Sequence, residues 1–380
     1  MTEFTTRTKS PYRYDIVGSF LRPEKLKIAR EKFNNGEISH DELTEVENHA
    51  IIDLIKQEEA VGLKAVPDGD VRRSDWHLDL FRALQRAKHA TLEHAYLFHD
   101  EETRNDSAQV VGKISGENHP FVEHFKFVRD HVTAGIQVKQ TYPAPGQFRE
   151  ELIRPENQAS VKNAYSSLDE LDHDVAAAYH QVIEDLYAAG CRTLQLDDCT
   201  WGIAVNNFAN LKKKDPNADT SQLKELQERF LKVNNAAIEN LPDDLTINTH
   251  VCRGNYHSTW AAAGGYGPVA DTLLAQENVQ AFYLEYDSDR AGGFEPLAKV
   301  PEDKYVVLGL VTSKSGELED RETIIKRIHE AAKFHPLDKL CLSPQCGFAS
   351  TEEGNILTVE QQWNKIKFVK EIAADVWNAQ

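Results

Sequence analysis

At 380 residues the chain can bury a sizeable core, and one large barrel with insertions accounts for that length as well as two ordinary domains would. Lys and Arg number 43 against 61 Asp and Glu, and the net charge of -18 would repel a phosphate backbone and an anionic membrane alike, which argues against nucleic acid or a membrane as partner. No apolar core follows the opening MTEFTTRTKSPYRYD and no later run reaches membrane-spanning length, so the chain reads as cytoplasmic, and five irregularly spaced cysteines do not make a disulfide framework.

Short apolar, β-branched runs recur between amphipathic stretches. They fall at 14–18 (YDIVG), 62–66 (GLKAV), 135–141 (GIQVKQT), 192–198 (RTLQLDD), 246–252 (TINTHVC), 281–286 (AFYLEY), 305–311 (YVVLGLV) and 339–345 (KLCLSPQ). Eight strands alternating with helices predict an α/β fold, a closed parallel (β/α)8 TIM barrel forming a single catalytic domain over 1–380. Two links are too long for simple connections and are read as insertions after strands 2 and 4. Residues 70–134 hold a helical stretch with Trp and His and then a hairpin (HATLEHAYLFHD, then AQVVGKIS); residues 203–245 carry KKKDPNADTSQ and a charged helix. Both are expected above the catalytic face or flanking the barrel. The KKKD run is a solvated turn or a binding patch. In the last helix, Trp363, Ile366, Val369, Ile372 and Val376 recur at helical spacing and form a core stripe.

The chemistry gathers at the strand ends. His250 and Cys252 are two apart on the fifth predicted strand and share a face, either as a buried structural pair or as two ligands of one metal. Glu285 ends the sixth strand and Cys346 follows the eighth; singly, the first reads as a solvated charge and the second as a core cysteine beside Gly347. Parallel strands deliver their C-termini to one end of a barrel, and one imidazole, two thiolates and a carboxylate suit tetrahedral Zn²⁺ better than Mg²⁺ or Ca²⁺. A carboxylate that yields to substrate makes the site catalytic, and a thiol of pKa about 8.5 loses its proton on such a metal and becomes a nucleophile. Cys191 and Cys341 read as core residues; Cys199, just past the fourth strand, is left open.

With these residues in hand, the chain resembles the C-terminal catalytic half of cobalamin-independent methionine synthase, and more closely its short single-barrel relatives. The likeness runs in order through Asp15-Ile16-Val17-Gly18-Ser19-Phe20, Asp68-Gly69-Asp70, Leu196-Asp197-Asp198, His250-x-Cys252, Glu285 and Cys346-Gly347. It implies that His250, Cys252, Glu285 and Cys346 hold zinc, that Ser19, Asp70 and Asp197 hold the amino-acid part of homocysteine, and that the partners are homocysteine and a methyl donor. Buried carboxylates would pair the substrate ammonium. In the residues alone, Gly18-Ser19 could equally turn the chain and Asp197-Asp198 could cap a helix.

Two departures stand out. Where the full-length enzymes have a histidine after strand seven, thought to be the proton donor, this chain has Thr312-Ser313-Lys314-Ser315, so Lys314 or a water is the candidate acid. Where they have a folate-stacking Trp after strand three, it has Tyr142, which stacks on the donor or packs in the core. No part of these 380 residues is expected to form the N-terminal barrel that helps those enzymes bind a polyglutamate tail, and the net charge ill suits such a tail unless Arg72, Arg73, Arg149 and Arg154 cluster. The expected reaction is methyl transfer to homocysteine, giving methionine, from methyltetrahydrofolate or another carrier. The alternatives are zinc-dependent alkyl transfer to a different small thiol, or a barrel whose zinc is only structural. A homo-oligomer is compatible with all three.

Overall fold

The computed structural model describes residues 4–378. Its strands are β1 (Ala65–Val66), β2 (Gln85–Thr91), β3 (Asp106–Ser115), β4 (Gln137–Val138), β5 (Gln140–Pro143), β6 (Thr193–Asp198), β7 (Thr246–Val251), β8 (Ala281–Glu285), β9 (Tyr305–Val311) and β10 (Leu340–Pro344). β5 to β10 form one sheet in chain order, parallel throughout. β1 pairs with β4 in parallel, and Tyr14 makes a parallel bridge to Leu342, with the Asp15 N–H donating to the Leu342 carbonyl at 3.0 Å. Past the first two runs, the Phe20 N–H donates to the Gly69 carbonyl at 3.1 Å. The fold is thus α/β on a parallel sheet, with all eight predicted runs in the consecutive order a barrel requires. β6, β7, β8 and β10 are buried at every position, and β6 and β7 alternate, with Leu194, Leu196, Ile247 and Val251 at positions between Gln195, Asp197, Asn248 and His250.

Four details depart from the sequence reading. The first run contributes only the Tyr14 bridge, because Asp15 turns inward to accept from the Lys139 ammonium at 3.3 Å and from the Tyr283 hydroxyl at 2.9 Å. The third run is split by that same buried Lys139, so its start pairs with β1 and its end with β6. The expected hairpin exists as β2 against β3, but its first arm lies at 85–91 rather than 89–100. Residues 203–245 fall largely in two helices, Thr200–Lys214 and Ser221–Ala237, with the Lys-rich run ending the first of them in solvent. The last helix, Val359–Trp377, starts on a Thr358/Gln361 capping box and buries Ile366, Val369 and Ile372, with Trp363 and Val376 packed at the edge of the core. Among the described residues no helix is long and apolar enough to cross a membrane.

The 70–134 stretch forms a short helix (Leu78–Ala83), the β2/β3 hairpin and a helix (Phe121–Arg129); the last packs on the helices His40–Val61 and Leu168–Ala188. His119 fastens it. The ring Nε2 lies 3.1 Å from the Leu80 carbonyl and must donate to it, while Nδ1 accepts from the Phe121 N–H at 3.2 Å, which fixes the neutral tautomer. Burial lowers its pKa to about 4. A folded-state pKa below the unfolded value leaves this contribution complete above about pH 6.5 and removes it as pH falls toward 4, at most about 3 kcal/mol. The melting temperature is therefore expected to drop across that window in wild type and to drop less in His119→Asn; equal slopes in scanning calorimetry would refute the assignment.

Candidate metal centre and thiol site

The strand ends converge as expected. The ligand atoms of His250, Cys252, Glu285 and Cys346 all lie within 4.8 Å of one another, and all four residues are buried. The Cys252 and Cys346 sulfurs are 3.7 Å apart. His250 Nδ1 is 3.3 Å from the Tyr283 carbonyl, an atom that can only accept, so the proton sits on Nδ1 and the lone pair on Nε2. That Nε2 is buried with no hydrogen-bond partner, as is Oε2 of Glu285, whose Oε1 accepts from the Arg253 N–H at 3.1 Å. Two orphaned, inward-facing donors and two adjoining thiols are what a cation at their centre would satisfy.

The electrostatics say the same. Hydrogen bonds from Cys199 and Cys346, with His250 beside it, hold the Cys252 thiol well below its usual range, and the Gly254 N–H donates to its sulfur at 3.3 Å. Burial, and then the Cys252 charge, push the Glu285 carboxyl up to about 8. Negative groups compete here for too little positive charge, and a divalent cation relieves that competition. The residues fit the metal that the donor set implies.

Ser19, Asp70, Asp197, His250, Cys252 and Cys346 line one cavity above the strand ends, enclosing about 1000 Å³ of empty space when its open side is counted. Asp197 and Asp198, adjacent on β6, face opposite ways. Asp198 turns outward, accepts from the Thr200 N–H at 2.9 Å and from Asn234 at 2.9 Å, and so begins the following helix. Asp197 turns into the cavity, held through Oδ1 by the Gln195 amide at 2.7 Å, and burial raises its carboxyl to about 7, with His250 opposing and Asp70 adding to the shift. Asp70 is also raised by burial, against Arg73, whose Nη1 lies 3.1 Å away; the Thr141 hydroxyl donates to it at 2.9 Å. Its left-handed backbone (φ 56) follows Gly69 (φ 69), a turn that brings the carboxylate back over the strand end. Ser19 accepts the Ala349 N–H at 3.3 Å, which leaves its own hydroxyl hydrogen to donate. A Cβ on Gly347 would stand 1.9 Å from that hydroxyl oxygen, so the glycine after Cys346 is what lets Ser19 reach the cavity.

Two expected residues are not brought to this cavity. Tyr142 is wholly buried, edge-on to Tyr179 at 5.0 Å and Phe121 at 6.4 Å, and packs in the core. The Lys314 ammonium donates to the Gly254 carbonyl (3.1 Å), Asn255 Oδ1 (2.7 Å) and the Thr259 carbonyl (3.0 Å), which engages all three of its hydrogens in bracing the loop after Cys252. Nor do the four arginines cluster: Arg72 pairs with Glu47, Arg73 with Asp70, Arg149 with Asp172 and Arg154 with the His94 carbonyl. Conversely, the cavity includes Cys199 and residues of the first insertion, among them Asp75, Trp76, His77, Tyr96 and Phe98. Asp75 and His77 stand two apart at its start and were legible as a pair; Tyr96 and Phe98 arrive only because the hairpin folds over the strands.

The family model described as the catalytic domain of the cobalamin-independent synthase matches residues 15–359. The chain belongs to that family. It is 42% identical to YxjH of Bacillus subtilis over 372 residues, covering 97% of this chain and 96% of the relative, and 44% identical to YxjG of the same organism over 375 residues, covering 98% and 96%. Among solved structures it is similar to a putative vitamin-B12-independent methionine synthase from Listeria monocytogenes, 35% identical, with a TM-score of 0.75 and coverage of 97% of this chain and 98% of that one. In this family of methionine-synthase-type methyltransferases, the four-residue cluster and the cavity beside it are the candidate metal and substrate sites.

Proposed function

We propose that this protein transfers a methyl group to the thiol of homocysteine, forming methionine, with zinc as the resident metal and methyltetrahydrofolate or another methyl carrier as donor. The observation that carries the reading is the buried ligand set of His250, Cys252, Glu285 and Cys346, three of which line a cavity that also holds two buried carboxylates, Asp70 and Asp197. Methionine synthase of Saccharolobus solfataricus, 23% identical over 348 residues, and the Listeria structure support the same direction.

A soft divalent cation held by these four residues would lower the pKa of a thiol brought to it and so supply a nucleophilic sulfur near neutral pH. The chain does the rest. Asp70 and Asp197, both raised by burial, offer the negative charge that an α-ammonium requires, and the Ser19 hydroxyl is free to donate to a carboxylate. Holding both ends of the amino acid fixes the direction in which its sulfur attacks, and such alignment is a principal source of rate in a displacement. Tyr96, Phe98, Thr103 and Arg104, from the segment that joins the two hairpin strands, form part of the cavity wall.

Metal analysis of reduced, purified protein, followed by methionine formation from homocysteine with methyltetrahydrofolate or methylcobalamin, tests the reading. About one zinc per chain and methionine from one donor are expected. Zinc with no homocysteine turnover from either donor would remove the acceptor assignment in favour of another small thiol.

A further inference from the structure

The first insertion brings a second constellation to the cavity. His77 is 5% exposed, and its Nδ1 lies 2.6 Å from Asp75 Oδ1. That oxygen accepts from the His77 backbone N–H at 3.2 Å, which holds the carboxylate beside the ring. The segment is clamped to the loop that follows Cys346: Asp75 bridges Thr351, the Trp76 N–H donates to the Ser350 carbonyl at 2.9 Å, and the Glu352 N–H donates to the Ser74 carbonyl at 3.0 Å. His77 therefore rides on the same wall of the cavity as one of the metal-ligand candidates. Its Nε2 is buried and has no hydrogen-bond partner. Among the described residues lining the cavity the imidazoles are His77 and His250, and His250 belongs to the metal cluster.

An N-methyl donor loses its methyl group as an amine, and the nitrogen that keeps the electron pair must gain a proton. The cavity therefore needs an acid, and the Lys314 hydrogens are engaged elsewhere. Resting on the methyl-transfer reading above, we propose that His77, oriented by Asp75, is the acid that protonates the leaving nitrogen of a planar N-methyl amine. Trp76, whose ring lies 4.6 Å from the imidazole, together with Tyr96 and Phe98, gives that part of the cavity the flat aromatic walls such a donor fits.

In the step, the S–CH3 bond forms as the N–CH3 bond breaks; the electron pair of the latter stays on nitrogen, which takes the proton from His77 Nε2. The sulfur has already lost its proton, so thiolate, imidazolium and N-methyl amine become thioether, imidazole and free amine. The imidazole is reprotonated from solvent. The surroundings favour the charged form of the acid: burial opposes the charge, Asp75 and its hydrogen bond more than offset that, Glu151 adds to them and Arg82 subtracts. Arg104 faces Asp75, and the Tyr96 ring stands edge-on at 6.2 Å with its hydroxyl donating to Glu151.

The experiment compares zinc-loaded wild type, His77→Gln and Asp75→Asn in methyl transfer from methyltetrahydrofolate to homocysteine across pH 5–9. Wild type should lose kcat on the alkaline side as a group with a pKa above 6.5 gives up its proton. His77→Gln should lose at least about 10²-fold in kcat and lose that limb, with KM for homocysteine unchanged. Asp75→Asn, the milder variant that decides the matter should His77→Gln not fold, should shift the limb toward lower pH by about one unit. Wild-type kcat in His77→Gln, or an unmoved limb in Asp75→Asn, overturns the assignment while leaving methyl transfer intact. Turnover with methylcobalamin alone, whose leaving group takes no proton, also overturns it. No methionine from either donor instead defeats the underlying reading.

Discussion

Cys346→Ser is expected to retain the fold, to fall from about one zinc per chain to a small fraction of that, and to lose at least about 10³-fold in methyl transfer to homocysteine. The magnitude follows from two separate losses. A thiol returned to its solution pKa of about 8.5 is only about 3% thiolate at pH 7, which removes roughly 30-fold in the reactive form. Misplacement of the attacking sulfur by about 1 Å costs a further factor of about 10². The fold should survive because Cys346 sits in the loop after β10, where the chain is held independently by the Gln345 N–H donating to the Val311 carbonyl at 2.8 Å and the Phe348 N–H donating to the Ser19 carbonyl at 2.9 Å. Ser is slightly smaller and can still donate toward Cys252. Metal content by elemental analysis, melting temperature and kcat/KM measured on one preparation separate the cases. Full zinc with wild-type turnover would remove Cys346 from the ligand set; loss of zinc with full turnover would remove the metal from the reaction.

How much of this was legible in the sequence depended on how local the determining physics is. The runs that form β6 to β10 could be read because each gathers aliphatic or β-branched residues within five to seven consecutive positions between helical stretches. The convergence of His250, Cys252, Glu285 and Cys346 followed from the parallel order alone, since it places strand C-termini at one end whatever the loops do. Where a single buried polar residue redirects the chain, the reading failed: Asp15 and Lys139 pair across the first and third runs, and their ion pair interrupts both ladders. Tyr142 could not be assigned either, because an aromatic residue at a strand end is equally suited to a core and to a ligand platform. Only the positions of Tyr179 and Phe121, on two separate helices, decide between them. The part of the cavity built by Trp76, His77, Tyr96 and Phe98 depends on how a 65-residue insertion folds back, a matter of long-range contact that no short pattern encodes.

Asp197→Asn is expected to raise KM for homocysteine by about 10² to 10³-fold while changing kcat much less. Asn is isosteric and keeps an oxygen to accept from the Gln195 amide, so the cavity wall should hold its shape. What is lost is the negative charge facing the substrate ammonium. Leaving one member of a buried ion pair without its partner costs about 3–5 kcal/mol, and each 1.4 kcal/mol is tenfold in affinity. Asp197 is a better test than Asp70 because Asp70 also faces Arg73 at 3.1 Å, so its removal would strand a buried guanidinium and confuse binding with stability. The control is a thiol acceptor without an ammonium, such as 3-mercaptopropionate. For it the same substitution removes no attraction and relieves a repulsion between two carboxylates, so its KM should stay level or fall. An unchanged KM for homocysteine in a folded, zinc-loaded variant would show that the ammonium is held elsewhere or that the physiological thiol has none. A large rise for homocysteine with none for the control would tie the two buried carboxylates to an amino-acid acceptor, because only a cation can use the charge that burial in this cavity otherwise disfavours.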